Sequence, residues 1–120
     1  MKRYAVGLTG ASGVIYGIAL IGELLASGAE VHVIVSQAAR LVMEQEEGLV
    51  PGQTAAQALE AMRSKPGLFF YDNNDITAPM ASGSYVIDAM IIMPCTMSTL
   101  SALAHGSASN LMERAADVIL

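Results

Sequence analysis

The sequence predicts an α/β protein in which helices pack against a parallel β-sheet. Short apolar segments rich in β-branched residues alternate along the chain with segments whose apolar residues recur every three or four positions. Glycine, proline and small polar residues separate these segments. A strand that is followed by a helix and then another strand belongs to a parallel sheet with right-handed connections. The length of 120 residues suits one domain.

The first half of the chain shows this alternation most clearly. The predicted elements are a strand over Arg3–Leu8, a helix over Val14–Ser27, a strand over Glu30–Ser36 and a helix over Gln37–Glu47. The first helix has apolar residues at spacings of four, three and four, and Gly28 supplies its end. These elements form a βαβα unit.

The second half is less regular, because Pro51-Gly52 and Pro66-Gly67 interrupt it. Thr54 is a candidate cap for a helix that extends to about Met62. The remaining predicted segments are a short apolar run over 68–71, a long surface loop over 72–84, a fully buried strand over 89–93 and helices over 96–104 and 110–119.

The composition excludes several classes of function. Hydrophobic residues make up 53% of the chain and charged residues 14%, with a net charge of −5 and no basic stripe. Nucleic acid is therefore excluded as a partner, since binding to phosphate backbones needs clustered cations. The single cysteine, Cys95, cannot form an internal disulfide, and no Cys/His spacing suits a metal. We expect a protein of the reducing cytoplasm.

Two stretches without charged side chains, 5–22 and 89–112, are long enough to raise the question of a membrane span. Five glycines interrupt the first, and Pro94 and a run of hydroxyl residues interrupt the second. Such interruptions are unfavourable in a helix that faces lipid. We therefore predict no signal sequence and no membrane span.

Three junctions between a strand and the following helix are rich in small or hydroxyl residues. They are Gly10–Gly13 after the first strand, Ser36 after the second and Cys95–Thr99 after the strand at 89–93. In an open α/β sheet, ligands bind at the carboxyl ends of the strands, where the helix N-termini present free N–H groups. The sequence therefore predicts a site that holds a phosphate with hydroxyl and backbone donors.

The glycine spacing indicates which nucleotide such a site would take. Gly7, Gly10 and Gly13 match neither the dinucleotide pattern G-x-G-x-x-G nor the P-loop pattern. Ser36 stands where a dinucleotide site usually carries an acid. A mononucleotide therefore fits better. The alternative is that these glycines serve only the close packing of helix and strand.

Five motifs, in matching order and spacing, resemble the UbiX-like flavin prenyltransferases. They are VGLTGASGVIYG at 6–17, VSQAAR at 35–40, ASGS at 81–84, MPCTMSTL at 93–100 and ERAADV at 113–118. The resemblance covers almost the whole chain and is weakest over 48–72. It implies a flavodoxin-like or Rossmann-like α/β fold, a three-layer arrangement built on a parallel sheet.

The resemblance also implies an activity. Members of that family bind FMN and join to it a dimethylallyl group taken from dimethylallyl phosphate. The product, prenylated FMN, is the cofactor of UbiD-like decarboxylases, including those of ubiquinone biosynthesis. Family members need no metal and form large, dodecamer-like homo-oligomers with active sites at subunit interfaces.

Site residues follow from the resemblance position by position. Those implied to bind FMN are Gly10, Ala11, Ser12, Ser36, Thr96, Met97, Ser98 and Thr99. Ser12 would also lie near the reacting flavin, and Glu46 would match a carboxylate near the prenyl site. Ser82 and Gly83 would line the substrate pocket. Arg114 would match a cation that faces the dimethylallyl phosphate.

The family pattern continues beyond ERAADV with further strands and with residues that bind the substrate phosphate. We therefore expect residues 1–120 to form a single FMN-binding flavoprotein domain that is incomplete at its C-terminus, with the C-terminal strands missing. Two alternatives remain. One is a non-catalytic FMN-binding fragment or subunit. The other is a flavin-dependent decarboxylase relative, which would need a histidine near the first helix, and none occurs in 14–25.

Two further side chains need an interpretation. Cys95 could be a nucleophile, but a small buried residue is the favoured reading for a lone cysteine at a strand end. His32 alternates with valines, which predicts a histidine whose hydrogen bonds are satisfied within the sheet.

Overall fold

The computed structural model describes residues 1–119 and shows a parallel sheet with helices on both faces, as predicted. The strands are β1 (Arg3–Leu8), β2 (Glu30–Val35), β3 (Leu68–Asp72) and β4 (Ala89–Ile92). The helices are α1 (Val14–Ala26), α2 (Gln37–Gln45), α3 (Ala55–Ala61), α4 (Met97–Ala104) and α5 (Leu111–Ile119), with a 3₁₀ turn at Pro79–Ala81. None of the helices within the described residues is both long and apolar enough to cross a membrane.

The strand order among the described residues is β3-β2-β1-β4, and all neighbouring strands are parallel. β1 pairs with β2 on one side and with β4 on the other. The order of the strands therefore reverses between β1 and β4, and we call the region at the carboxyl ends of these two strands the crevice. This is the place where open α/β sheets bind ligands.

Each face of the sheet carries its own apolar core. Side chains alternate along β2, so that its three valines point towards α1, α2 and α3 while His32 and Ile34 point towards the opposite face. On that opposite face, Ile34 packs in a second cluster with α5 and the 3₁₀ turn, centred on Met80, Leu111 and Met112. The result is three layers.

Local capping explains where several helices begin. The Thr54 hydroxyl accepts a hydrogen bond from the Gln57 N–H, and the Gln57 side chain accepts one from the Thr54 N–H, so the predicted cap is confirmed. Ser36 caps α2 and so lies just after β2. The predicted strand included Ser36 as its last residue. α2 ends at Gln45, two residues before the predicted end, because Glu46 has extended backbone angles.

Two predictions about burial were wrong. The strand at 89–93 was expected to be fully buried, but all four residues of β4 are only half-buried. β4 is an edge strand of the sheet formed by residues 1–119, and α4 buries none of its own residues against it. Cys95, expected to be buried, is exposed for the same reason. His32, in contrast, is buried and hydrogen-bonded as predicted.

Candidate functional site

Thr9 holds the two sides of the crevice together. It follows β1 directly and is only 2% exposed. Its hydroxyl donates a hydrogen bond to the Pro94 carbonyl and accepts one from the Thr96 N–H at 3.0 Å. The loops after β1 and β4 are therefore joined by side-chain bonds as well as by strand pairing. Thr9 was not among the predicted site residues, although a hydroxyl at the end of an apolar strand is a signal in the sequence.

Gly17 allows α1 to approach the end of β4. A Cβ atom at this position would lie 2.1 Å from the Met93 carbonyl oxygen and 2.6 Å from the Leu8 side chain. Any side chain here would separate the helix from the crevice. Gly17 was predicted only as part of the family motif and as one of the glycines that interrupt residues 5–22, although a glycine inside a helix is a recognisable sign of close packing.

The loop over 10–13 is packed against the start of α2. A Cβ atom at Gly10 would lie 2.6 Å from the Cβ of Ala38, so only glycine fits without movement. Gly13 has φ of +93° and ends the loop as the N-cap of α1 without a side-chain hydrogen bond. This packing brings the predicted residues Gly10, Ala11 and Ser12 to the same edge of the sheet as Ser36.

The loop after β4 brings the N-terminus of α4 to the crevice, beside that of α1. The Thr96 hydroxyl accepts the Thr99 N–H at 3.1 Å and donates to the Thr99 hydroxyl at 2.9 Å. The Thr99 hydroxyl can therefore donate its own hydrogen bond to a ligand. The N–H groups of Met97 and Ser98 belong to the first helical turn, which has no intrahelical acceptor for them. These donors suit an anionic group such as a phosphate.

Exposed apolar side chains border this edge of the sheet. Met97 is 77% exposed at the start of α4, and Leu100 is 52% exposed one turn later. Tyr16 is exposed in the first turn of α1, with its ring carbon 3.2 Å from the position of a Cβ at Gly13. The site therefore combines hydrogen-bond donors with an apolar border.

The structure places the predicted substrate-binding residues elsewhere. Ser82 and Gly83 lie over the α5 face of the sheet, where a Cβ at Gly83 would be 3.9 Å from Val118. Arg114 is exposed one helical turn before Val118 on α5. These three residues therefore border one region on the α5 side.

Glu113 holds the start of α5. The residue is 8% exposed, and its carboxylate accepts hydrogen bonds from the Ser107 hydroxyl at 2.6 Å and from the N–H and hydroxyl of Ser109 at 3.0 and 2.9 Å. The Asn110 side chain donates to the same carboxylate at 3.1 Å. These hydrogen bonds, the one from Ser107 first, hold the pKa of Glu113 below its usual value. The carboxylate thereby keeps the helical turn that carries Arg114 in one position.

Glu46 lies far from the crevice within one chain. It follows the last residue of α2, while Ser36 precedes the first. The nine residues of α2 lie between them, which puts the two about 15 Å apart at the usual helical rise. Among residues 1–119, no cluster of three or more His, Cys, Asp or Glu side chains is arranged to hold a metal ion.

Comparisons with known proteins agree with this architecture. The sequence model of the family described as "Flavoprotein" matches residues 1–120. The flavin prenyltransferase UbiX of Alkalihalophilus pseudofirmus is 44% identical over 99% of the chain, and that of Archaeoglobus fulgidus is 42% identical over 98%. In both cases the chain spans 60% of the relative's length.

Solved structures give the same result. A structure of AnUbiX in complex with FMN and dimethylallyl pyrophosphate has a TM-score of 0.83 and 31% identity. The match covers 98% of the present chain and 58% of the AnUbiX chain. A structure described as a dodecameric FMN-dependent UbiX-like decarboxylase from Escherichia coli O157:H7 has a TM-score of 0.81 and 35% identity. The match covers 98% of the present chain and 60% of that chain. The chain belongs to the flavoprotein family, and its relatives there include the UbiX flavin prenyltransferases.

Proposed function

We propose that the protein is a flavin prenyltransferase that joins a dimethylallyl group from dimethylallyl phosphate to reduced FMN. The observation that carries the proposal is the crevice between β1 and β4, where three loops bring glycines, hydroxyls and two helix N-termini together. The similarity to UbiX enzymes supports the same activity. The product, prenylated FMN, would serve a UbiD-like decarboxylase.

The residues of the crevice fit the two ends of FMN. The hydroxyls of Ser36, Ser98 and Thr99 and the free N–H groups at the start of α4 would hold its phosphate. Gly10, Ala11 and Ser12 would contact the flavin, because their loop follows β1 at the carboxyl edge of the sheet, where Gly10 packs on Ala38. When bound, reduced FMN supplies an electron-rich ring that accepts the allyl group.

The prenyl donor needs a cation for its departing phosphate and a site that excludes water. Arg114 is the candidate cation, and it directly follows Glu113, whose carboxylate is hydrogen-bonded to Ser107 and Asn110. Ser82 and Gly83 would line the pocket. Ser12 and Glu46 are the proposed catalytic residues, with Ser12 beside the flavin and Glu46 near the prenyl group.

We further propose that the complete site forms between copies of the chain in a dodecamer-like homo-oligomer. One chain places the FMN residues at the ends of β1, β2 and β4, whereas Ser82 and Gly83 lie over the α5 face and Glu46 lies at the far end of α2. A neighbouring subunit could bring them together. The exposed Met97 and Leu100 favour such contacts. The related structure from Escherichia coli is described as dodecameric.

Composition and similarity support a setting for this activity. The single cysteine suits the reducing cytoplasm. We propose that the protein acts there, and that ubiquinone biosynthesis is one route in which its product is used. In this proposal residues 1–120 are one FMN-binding domain to which further strands are added.

Two measurements test the activity. Titration with FMN, followed by flavin fluorescence, should show saturable binding. Reduced FMN and dimethylallyl phosphate should then give a flavin whose mass is greater by one C₅H₈ unit, and dimethylallyl pyrophosphate serves as the comparison donor. Absence of FMN binding at every concentration contradicts the whole proposal. Binding without a change in flavin mass with either donor contradicts prenyl transfer and favours a non-catalytic FMN-binding chain.

A further inference from the structure

A cluster of aromatic and charged side chains surrounds His32 on the α5 face of the sheet. His32 is 1% exposed, with its Nδ1 atom 2.9 Å from the Tyr71 hydroxyl and its Nε2 atom 3.2 Å from the Tyr85 hydroxyl. A Glu30 oxygen lies 3.5 Å from the same Nε2. Glu30 also accepts a hydrogen bond from the Arg3 Nε at 2.7 Å. We call these five residues the His32 cluster.

The partners of His32 determine its protonation state. An ionised Glu30 can only accept hydrogen bonds, so the nitrogen facing it, Nε2, carries the proton. Nδ1 then accepts from the Tyr71 hydroxyl. Burial lowers the pKa of His32 more than the neighbouring Glu30 raises it, which keeps the ring neutral at neutral pH. The cluster is thus fully hydrogen-bonded without a charged imidazole.

Tyr85 connects the cluster to the loop that carries Ser82 and Gly83. The Tyr85 N–H donates to the Ser82 carbonyl at 3.2 Å, which closes a turn around Gly83. The Arg3 guanidinium lies over the Tyr85 ring, 4.5 Å from its centre. On the other side of the turn, a Cβ at Gly83 would lie 3.9 Å from the Val118 side chain, an ordinary contact distance.

The Tyr85 hydroxyl is the hydrogen-bond partner of Nε2, but it is not what holds His32 in place. His32 lies within β2, and the Tyr71 hydroxyl already binds its Nδ1 atom. The ring of His32 also stacks on Phe69, with the centres 4.9 Å apart. The bond from His32 to Tyr85 therefore constrains the position of Tyr85 more than that of His32.

We propose that His32 and Arg3 are positioning residues that act through Tyr85 to hold the Ser82–Gly83 turn in the geometry that receives the prenyl donor. The role assigned to this turn rests on the proposed function. The positioning itself rests on the contacts of Tyr85. Loss of the Tyr85 hydroxyl should weaken recognition of the donor and leave FMN binding unchanged, since FMN is assigned to the opposite edge of the sheet.

The test compares Tyr85→Phe with Tyr71→Phe. Each substitution removes one hydroxyl from His32, but Tyr71 lies in β3 and has no bond to the turn. We expect Tyr85→Phe to raise the KM for dimethylallyl phosphate by roughly threefold to tenfold, the effect of one hydrogen bond, with kcat within about twofold of wild type. Tyr71→Phe should leave this KM unchanged. Hydrogen–deuterium exchange should become faster over residues 82–88 only in Tyr85→Phe.

Three outcomes would overturn the proposal. They are an unchanged KM together with unchanged exchange in Tyr85→Phe, an equal rise of KM in both variants, or a rise of the FMN dissociation constant equal to that of KM. Wild-type protein that binds FMN but transfers no prenyl group would contradict the proposed function instead. In that case exchange over 82–88 still decides whether Tyr85 holds the turn.

Discussion

Replacement of Gly17 by alanine tests whether close packing of α1 on β4 builds the crevice. The new Cβ would lie 2.1 Å from the Met93 carbonyl oxygen, and a backbone atom cannot rotate away as a side chain can. Because ordinary contacts begin near 3.4 Å, the helix must move by more than about 1 Å. Overpacking of this kind costs about 1–3 kcal/mol, against which alanine returns only about 0.5–1 kcal/mol of helix propensity. We expect a clear net loss of stability.

Gly22→Ala is the matched control within the same helix. A Cβ at Gly22 meets only the end of the Met62 side chain at 3.6 Å, an ordinary contact. Urea unfolding should therefore show Gly22→Ala to be as stable as wild type or more stable, and Gly17→Ala to be less stable. FMN affinity should fall by about tenfold or more only in Gly17→Ala, since α1 and the Met93–Pro94 segment separate. Equal stability and equal FMN affinity in the two variants would refute the reasoning.

Three further predictions concern buried polar groups. Thr9→Val should lower the free energy of unfolding by about 1–3 kcal/mol, because the buried Thr96 N–H loses its acceptor and the Pro94 carbonyl keeps only the longer bond from the backbone N–H of residue 9. Thr9→Ser should restore most of this free energy in urea unfolding. The pKa of Glu113 is lowered from 4.5, so the stability that the ionised carboxylate contributes is complete above pH 4.5 and should be lost as the pH falls below that value. Glu113→Gln should remove this part of the pH dependence of unfolding. A variant with the same pH profile as wild type would contradict the prediction. The pKa of His32 is lowered from 6.5, so stability should also decrease below pH 6.5, and an NMR titration midpoint of His32 at or above 6.5 would contradict its burial as the cause.

Elements determined by local chemistry could be predicted from the sequence. The start of α3 is an example, because the Thr54 and Gln57 side chains cap the same turn whatever surrounds it. The alternation of valines around His32 likewise predicted β2 and the satisfied histidine. The three loops at the carboxyl edge of the sheet followed from the βα pattern together with parallel pairing.

Features that depend on distant parts of the chain could not be predicted in this way. The half-buried state of β4 depends on what lies beside it in the sheet, which apolar composition does not report. The roles of Thr9 and Gly17 arise from contacts with residues near position 94. The separation of Glu46 from the crevice depends on the length and end points of α2, which sequence patterns do not fix to the residue.

The hydrogen bond between Thr9 and Pro94 joins residues 85 positions apart. β4 also pairs with β1 only after β2 and β3 have been made. During synthesis, the loop after β1 therefore leaves the ribosome long before the Pro94 segment with which it pairs. The crevice cannot form until β4 has been made. Under the proposed function FMN would bind only the folded chain, so bound FMN should raise its free energy of unfolding.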